Sequence, residues 1–127
     1  MSKILMSNVQ METAVRELSP LLERADMLGY AAARNTRLMR ESLTEYIAEH
    51  DRLVRKHGMQ RDGRYCIEPG GDEEAAFREE LAPFAEVEHE IDVFRVPEES
   101  AIGVLTGRQF LSLSWMLEDG NGGEETA

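Results

Sequence analysis

The stretch LLERADMLGYAAARNTRLMRESLTEYIAEHDRLVRKHG, residues 21–58, decides the fold. Apolar residues recur along it at helical spacing, among them Leu21, Leu28, Ala32, Met39, Leu43, Tyr46, Ile47, Leu53 and Val54. At about 1.5 Å of rise per residue, an unbroken helix of this length would reach roughly 50 Å. A compact domain of this size is only about 30 Å across. The rod must therefore bend, pack on a partner, or organise the whole molecule. Gly58 is its natural stop, because Arg55, Lys56 and His57 before it suit the negative end of the helix dipole. Its start is open between Ser19-Pro20, where proline fits a first turn, and Asp26, a good N-cap. The spacing favours a first helix ending near Arg24 and a second from Met27 to His57.

Working outward, Lys3 to Met6 is a short apolar run with strand character. Ser7 or Asn8 can cap a helix over Val9 to Leu18, with Val15, Leu18 and Leu22 on one side. Downstream of Gly58, Asp62-Gly63 signals a turn before the β-prone residues Arg64 to Glu68. Asp72 can cap a helix over Glu73 to Leu81, whose acidic first turn suits the dipole. Val87 to Val96 alternates, with Val87, His89, Ile91, Val93 and Arg95 on one face, as in a half-exposed strand. Thr106 and Gln109 form a capping-box pattern ahead of an apolar face made by Phe110, Leu113, Met116 and Leu117. The expected architecture is one α+β domain over residues 1–117. It consists of a long bent helix or helical hairpin packed with a small antiparallel sheet and a short C-terminal helix. An acidic, Gly-rich tail over 118–127 is expected to be disordered. The inward members of these patterns, Leu38, Tyr46, Leu53, Phe77, Ile91, Phe110 and Leu113, are expected to form one core.

Charge narrows the function. The chain of 127 residues carries a formal net charge of -11. Residues 1–64 hold 11 basic and 9 acidic groups, and residues 65–127 hold 3 and 16. This balance argues against binding nucleic-acid backbones, which needs clustered Lys and Arg, and against anionic membrane surfaces. No apolar run reaches the length of a membrane span, and the N-terminus lacks the apolar stretch of a signal peptide. Cys66 is the only cysteine, so a reducing cytoplasmic setting is expected.

No catalytic or cofactor signature stands out. His50, His57, Cys66 and His89 match no zinc spacing, so neither a metal nor another cofactor is expected. Cys66 lies in a predicted strand with no adjoining helix N-terminus to acidify it, which favours a packed, inert thiol over a nucleophile. Adjacent glutamates such as Glu79-Glu80 do not face each other on a helix and are poor acid–base pairs. Asn35 either sits within the apolar stripe, where it can fix helix register, or edges it and meets water.

Arg34, Arg37 and Arg40 recur every three residues as a basic strip. Met39, Leu43 and Ile47, with Leu22, lie at the edge of the apolar stripe and are expected to stay partly exposed. Apolar edges of that kind mark protein interfaces. Pairing of two copies would set the strip against Glu86, Glu88 and Glu90 of the other chain, giving a homodimer.

The residues Tyr30-Ala-Ala-Ala-Arg-Asn35, Leu38, Tyr46 and Asp51-Arg-Leu-Val-Arg-Lys-His-Gly58 carry a further reading. Together with Phe77 and the acidic strand they resemble a group of small proteins encoded by tailed phages and prophages. The likeness covers residues 27–96 and, more weakly, 100–117. It implies a phage or prophage origin, in a bacterial host cell or a virion, and no known catalytic residues. The expected function is therefore non-enzymatic: protein–protein contact in virion assembly or as an accessory factor. The alternative is an acidic inhibitor or DNA mimic that captures a basic host protein.

Overall fold

The computed structural model describes residues 2–119. Its elements, in chain order, begin with β1 (Ser2–Ser7) and α1 (Asn8–Leu18), followed by a 3-10 turn over Ser19–Glu23. Helices α2 (Met27–Ser42) and α3 (Thr44–His57) come next, then strands β2 (Met59–Arg61) and β3 (Arg64–Cys66). After α4 (Asp72–Ala85) come β4 (Glu88–Val93) and β5 (Val96–Pro97), then α5 (Gly107–Ser112) and β6 (Leu117–Glu118). The α+β class holds. Residues 120–127, most of the expected tail, lie outside the described residues, and Glu118 belongs to β6.

The start of the long rod uses both candidate signals. α1 ends at Leu18 because Pro20 has no N–H to continue the ladder, and the chain tightens into the 3-10 turn. It then extends at Arg24, and the Asp26 carboxylate accepts from the Gly29 amide at 3.2 Å to start α2. Arg24 clamps that carboxylate with donors at 2.6–3.2 Å. The expected single helix from Met27 to His57 is interrupted at Leu43. There the Thr44 hydroxyl donates to the carbonyls of Arg40 (3.3 Å) and Glu41 (3.0 Å), competing with the backbone ladder.

α3 and α4 pack against each other, joined by the β2–β3 hairpin. The hairpin's two central residues, Asp62 and Gly63, both have positive φ, as a primed two-residue turn requires. α4 starts one residue earlier than expected. Gly71 is its N-cap with no side-chain cap bond, and Asp72 lies in the first turn instead. The helix runs through Pro83 to Ala85.

β1 and β4 pair antiparallel, with Ile4 opposite Ile91 and Leu5 opposite Glu90. Directly opposed residues share a face, so Ser2, Ile4 and Met6 lie with Val93, Ile91 and His89 on the inner face. Lys3, Leu5 and Ser7 lie with Asp92, Glu90 and Glu88 on the outer one. β5 and β6 form a short parallel pair.

Among the described residues the core comprises two clusters rather than one. Leu18, Leu28, Ala32, Val96, Leu113 and Met116 belong to the first; Met11, Ala14, Met39, Leu43, Tyr46, Ile91 and Val93 form the second. Trp115 packs against both. Of the expected core residues, Tyr46, Leu53, Ile91 and Leu113 are buried, while Leu38, Phe77 and Phe110 are only half-buried. Leu53 lies outside both clusters. The inward face of α1 is Met11, Ala14 and Leu18, so Val15 is half-buried and Leu22 stays 39% exposed.

Asn35 is fully buried and joins α2 to the end of β4. Its amide donates to the Phe94 carbonyl at 2.9 Å and its carbonyl accepts from the Phe94 amide at 2.8 Å. This pair of bonds satisfies a backbone segment that has just left the sheet.

Candidate protein-interaction surface

Two of the residues expected to mark an interface are corrected by their burial. Met39 is 0% and Leu43 4% exposed, because α1 and β4, distant in sequence, close over that side of α2. Only Ile47, at 45%, remains on the surface of that edge, with Leu22 apart from it.

The basic strip is real but divided. Arg34 lies 5.0 Å from the Phe94 ring centre and 5.8 Å from that of Tyr30. The two rings meet edge-to-face at 5.3 Å. Its charge is thus partly engaged by π faces. Arg37 and Arg40 are exposed and make no ion pair among the described residues. Glu86, Glu88 and Glu90 are also exposed, and Glu90 pairs with Lys3 at 3.8 Å.

The candidate catalytic and metal residues have separate structural partners. Cys66 is exposed on β3 rather than packed, since every residue of the hairpin strands faces solvent. His50 stacks edge-to-face on Phe77 at 5.5 Å. Asn8 donates to the Phe84 carbonyl at 2.8 Å, which leaves its own oxygen to accept from His89 Nε2 at 3.0 Å. His57 bonds Glu80 and approaches Glu73 at 3.4 Å, while Lys56 reaches Glu80 at 2.5 Å. The lysine first, then the histidine, holds the Glu80 carboxyl down to about 2. Glu80 in turn raises the His57 imidazole above its ordinary value. These contacts tie α3 to α4. No group of three or more His, Cys, Asp or Glu among the described residues is arranged to hold a metal ion.

An apolar surface that was not expected from the sequence lies beside β1. Ser7 ends the strand and caps α1 at once: its hydroxyl accepts from the Gln10 amide, and the Gln10 side chain accepts from the Ser7 amide at 2.8 Å. α1 buries Met11 and Ala14 and leaves Val9 and Thr13 on its outer flank. That flank, β1 and Trp115 enclose a groove of about 470 Å³ lined by Ile4, Leu5, Met6 and Val9. Glu17 is its one charged lining residue among the described residues. Leu5 is 63% and Val9 39% exposed. β1 pairs only with β4, and its other edge has no backbone partner among the described residues. The sequence signal was Leu5, an apolar residue on the outward side of a strand that otherwise alternates. Trp115, at the groove's far wall, gives no periodic sign of its position.

No helix among the described residues is long and apolar enough to cross a membrane. Comparison of the chain with protein-family models, with curated proteins and with solved structures finds no match.

Proposed function

We propose that this chain is a non-enzymatic protein that works by protein–protein contact, as a phage- or prophage-type assembly or accessory factor. The observation that supports the contact reading most is the apolar groove beside the open edge of β1. An unpaired strand edge offers main-chain donors and acceptors, and natural proteins blunt such edges with charge, proline or cover. Here the edge carries one lysine, Lys3, and leads into an apolar floor. That combination suits a β-strand added by another chain, with main-chain bonds giving affinity and the groove giving selectivity. The phage setting rests on the resemblance of Tyr30 to Gly58.

A photo-crosslinking side chain at position 5 tests the contact reading, with position 102 as the exposed control. In prophage-induced bacterial cells, a discrete protein adduct from position 5 and none from position 102 supports it. The absence of any position-5 adduct, or equal labelling from both, overturns it. Cys66→Ser leaves biological activity unchanged on this reading.

The acidic-mimic reading draws on a different face. Glu88, Glu90 and Asp92 line one side of β4. Replacing all three with amides would abolish capture of a basic host protein, while Leu5 variants would retain it.

A further inference from the structure

We infer that the open edge of β1 pairs antiparallel with β1 of a second copy across a two-fold axis, giving a four-stranded sheet. This rests on the protein-contact reading and names the partner. The two-stranded sheet has two outer strands, and they differ in chemistry. β4 carries Glu88, Glu90 and Asp92 on its outer face, so two β4 strands side by side would set carboxylates against carboxylates. β1, with the sequence SKILMS, holds a single charge.

Keeping both inner faces on one side of the extended sheet restricts the register, because directly opposed residues must share a face. Centring the axis on Leu5 meets that condition. Leu5 then faces the partner's Leu5, Ile4 faces the partner's Met6, and Lys3 faces the partner's Ser7, whose amide stays with its own Gln10, so the main-chain pairing centres on Leu5. No pair opposes like charges. Within each chain Ser7 lies opposite Glu88. Lys3 is thus two strands, roughly 10 Å at the backbone, from the partner's Glu88. Lysine can cross the small serine to reach it. The inner-face Ile4 and Met6 of one chain meet the Val9 flank of the other, where the groove already provides an apolar floor. The contact is isologous, so it closes at two copies.

The full-length protein is tested by sedimentation equilibrium at micromolar concentration, with Leu5→Lys, Leu5→Glu and Ile47→Lys compared against the wild type. Leu5 and Ile47 are both exposed, so circular dichroism should show the fold unchanged. The wild type and Ile47→Lys should sediment at twice the 14.4 kDa chain mass. Each Leu5 variant alone should weaken association by roughly 10- to 100-fold, through opposed like charges and loss of the leucine pair. An equimolar mixture of the two should recover the dimer, a rescue that general damage to the fold would not give. Amide exchange in residues 3–6 should slow with rising concentration in the wild type and Ile47→Lys, but not in either Leu5 variant by itself. A wild-type monomer overturns the inference, as does a dimer indifferent to Leu5→Lys, one broken by Ile47→Lys, or a mixture without rescue. A monomer that still gives a specific heterologous adduct from position 5 would remove the second copy while leaving the contact reading intact.

Discussion

Replacing Asn35 with alanine removes the fastener between α2 and the segment leaving β4. In the native chain the side chain is fully buried and exchanges two hydrogen bonds with the backbone of Phe94, at 2.8 and 2.9 Å. Alanine leaves a backbone N–H and a backbone C=O without partners. Each stranded group costs about 1–3 kcal/mol, so the pair costs about 2–6 kcal/mol, with 4 as a working value. A domain of ordinary stability has about 5–15 kcal/mol in total, so the variant should remain folded but weakened. With a urea dependence near 2 kcal/mol per molar, the unfolding midpoint should fall by about 2 M at unchanged slope. Asn35→Asp sharpens the assignment. Its carboxylate can still accept from the Phe94 amide but repels the Phe94 carbonyl, whereas the neutral acid can donate to it. The folded-state pKa of the new group should therefore rise above its unfolded value. Its stabilisation is present in acid and lost as pH rises through the folded pKa. Measured against the wild type, the stability deficit should shrink on acidification. A loss below about 1 kcal/mol for Asn35→Ala, or a pH-independent deficit for Asn35→Asp, would refute the fastener.

Further outcomes follow from packing and charge. Gly29→Ala should destabilise strongly, because a Cβ there would stand 2.0 Å from the Arg24 carbonyl oxygen, a backbone atom fixed by the turn; urea unfolding reads the loss. Met39→Ala should cost about 2–5 kcal/mol as a core truncation, while Ile47→Ser should stay within about 0.5 kcal/mol as a surface change; the same titration compares them, and similar losses would contradict the assigned faces. The α3–α4 ion cluster should give a pH optimum in thermal stability. Glu80, lowered from 4.5 to about 2, contributes above 4.5 and loses its contribution as pH falls towards 2. His57, raised from 6.5, contributes below 6.5 and loses its contribution as pH rises through its folded value. Glu80→Gln should flatten both flanks of the melting-temperature profile, and an unchanged profile would show that the cluster does not link the helices.

Many features decided by neighbours in sequence were legible before the structure, although the break at Leu43 and the place of Asp72 in a first turn, also local, were not. Ser7, Asp26, Gly58, Asp62-Gly63 and the Thr106–Gln109 box all act within a turn or so of themselves, and each is found in its expected role. The alternation was equally plain from Glu88 to Val93, but the expected strand ran on to Val96, whereas the chain leaves the sheet after Val93 and Val96 is buried in the first cluster. Which edge of the long apolar stripe is covered was not legible. Met39 and Leu43 are covered by α1 and β4, whereas Ile47 lies beyond the break at Leu43 and stays outside. Periodicity reports a face but not what arrives to cover it. Asn35 illustrates the same limit: its burial depends on Phe94, fifty-nine positions away. The groove beside β1 was hidden for a related reason. Its floor joins residues from both ends of the chain, Val9 and Trp115.

The segment from Thr44 to Ala85 has a topological consequence of its own. It leaves α2 beside Ser42 and returns beside Val87, and both residues line one small cavity with Tyr46 and Phe84. Entry and exit are therefore neighbours, and the segment between them is a nearly closed detour: out along α3, round the exposed hairpin, back along α4. The strand that completes the sheet, β4, is supplied only after this excursion. The hairpin at its far end carries no core residue. That region can change in length and composition without altering the framework around β1, α1 and α2. Variation among descendants of this chain would accumulate at the tip of the detour, while its two feet, at Tyr46 and at the Asn8–Phe84 bond, would resist it.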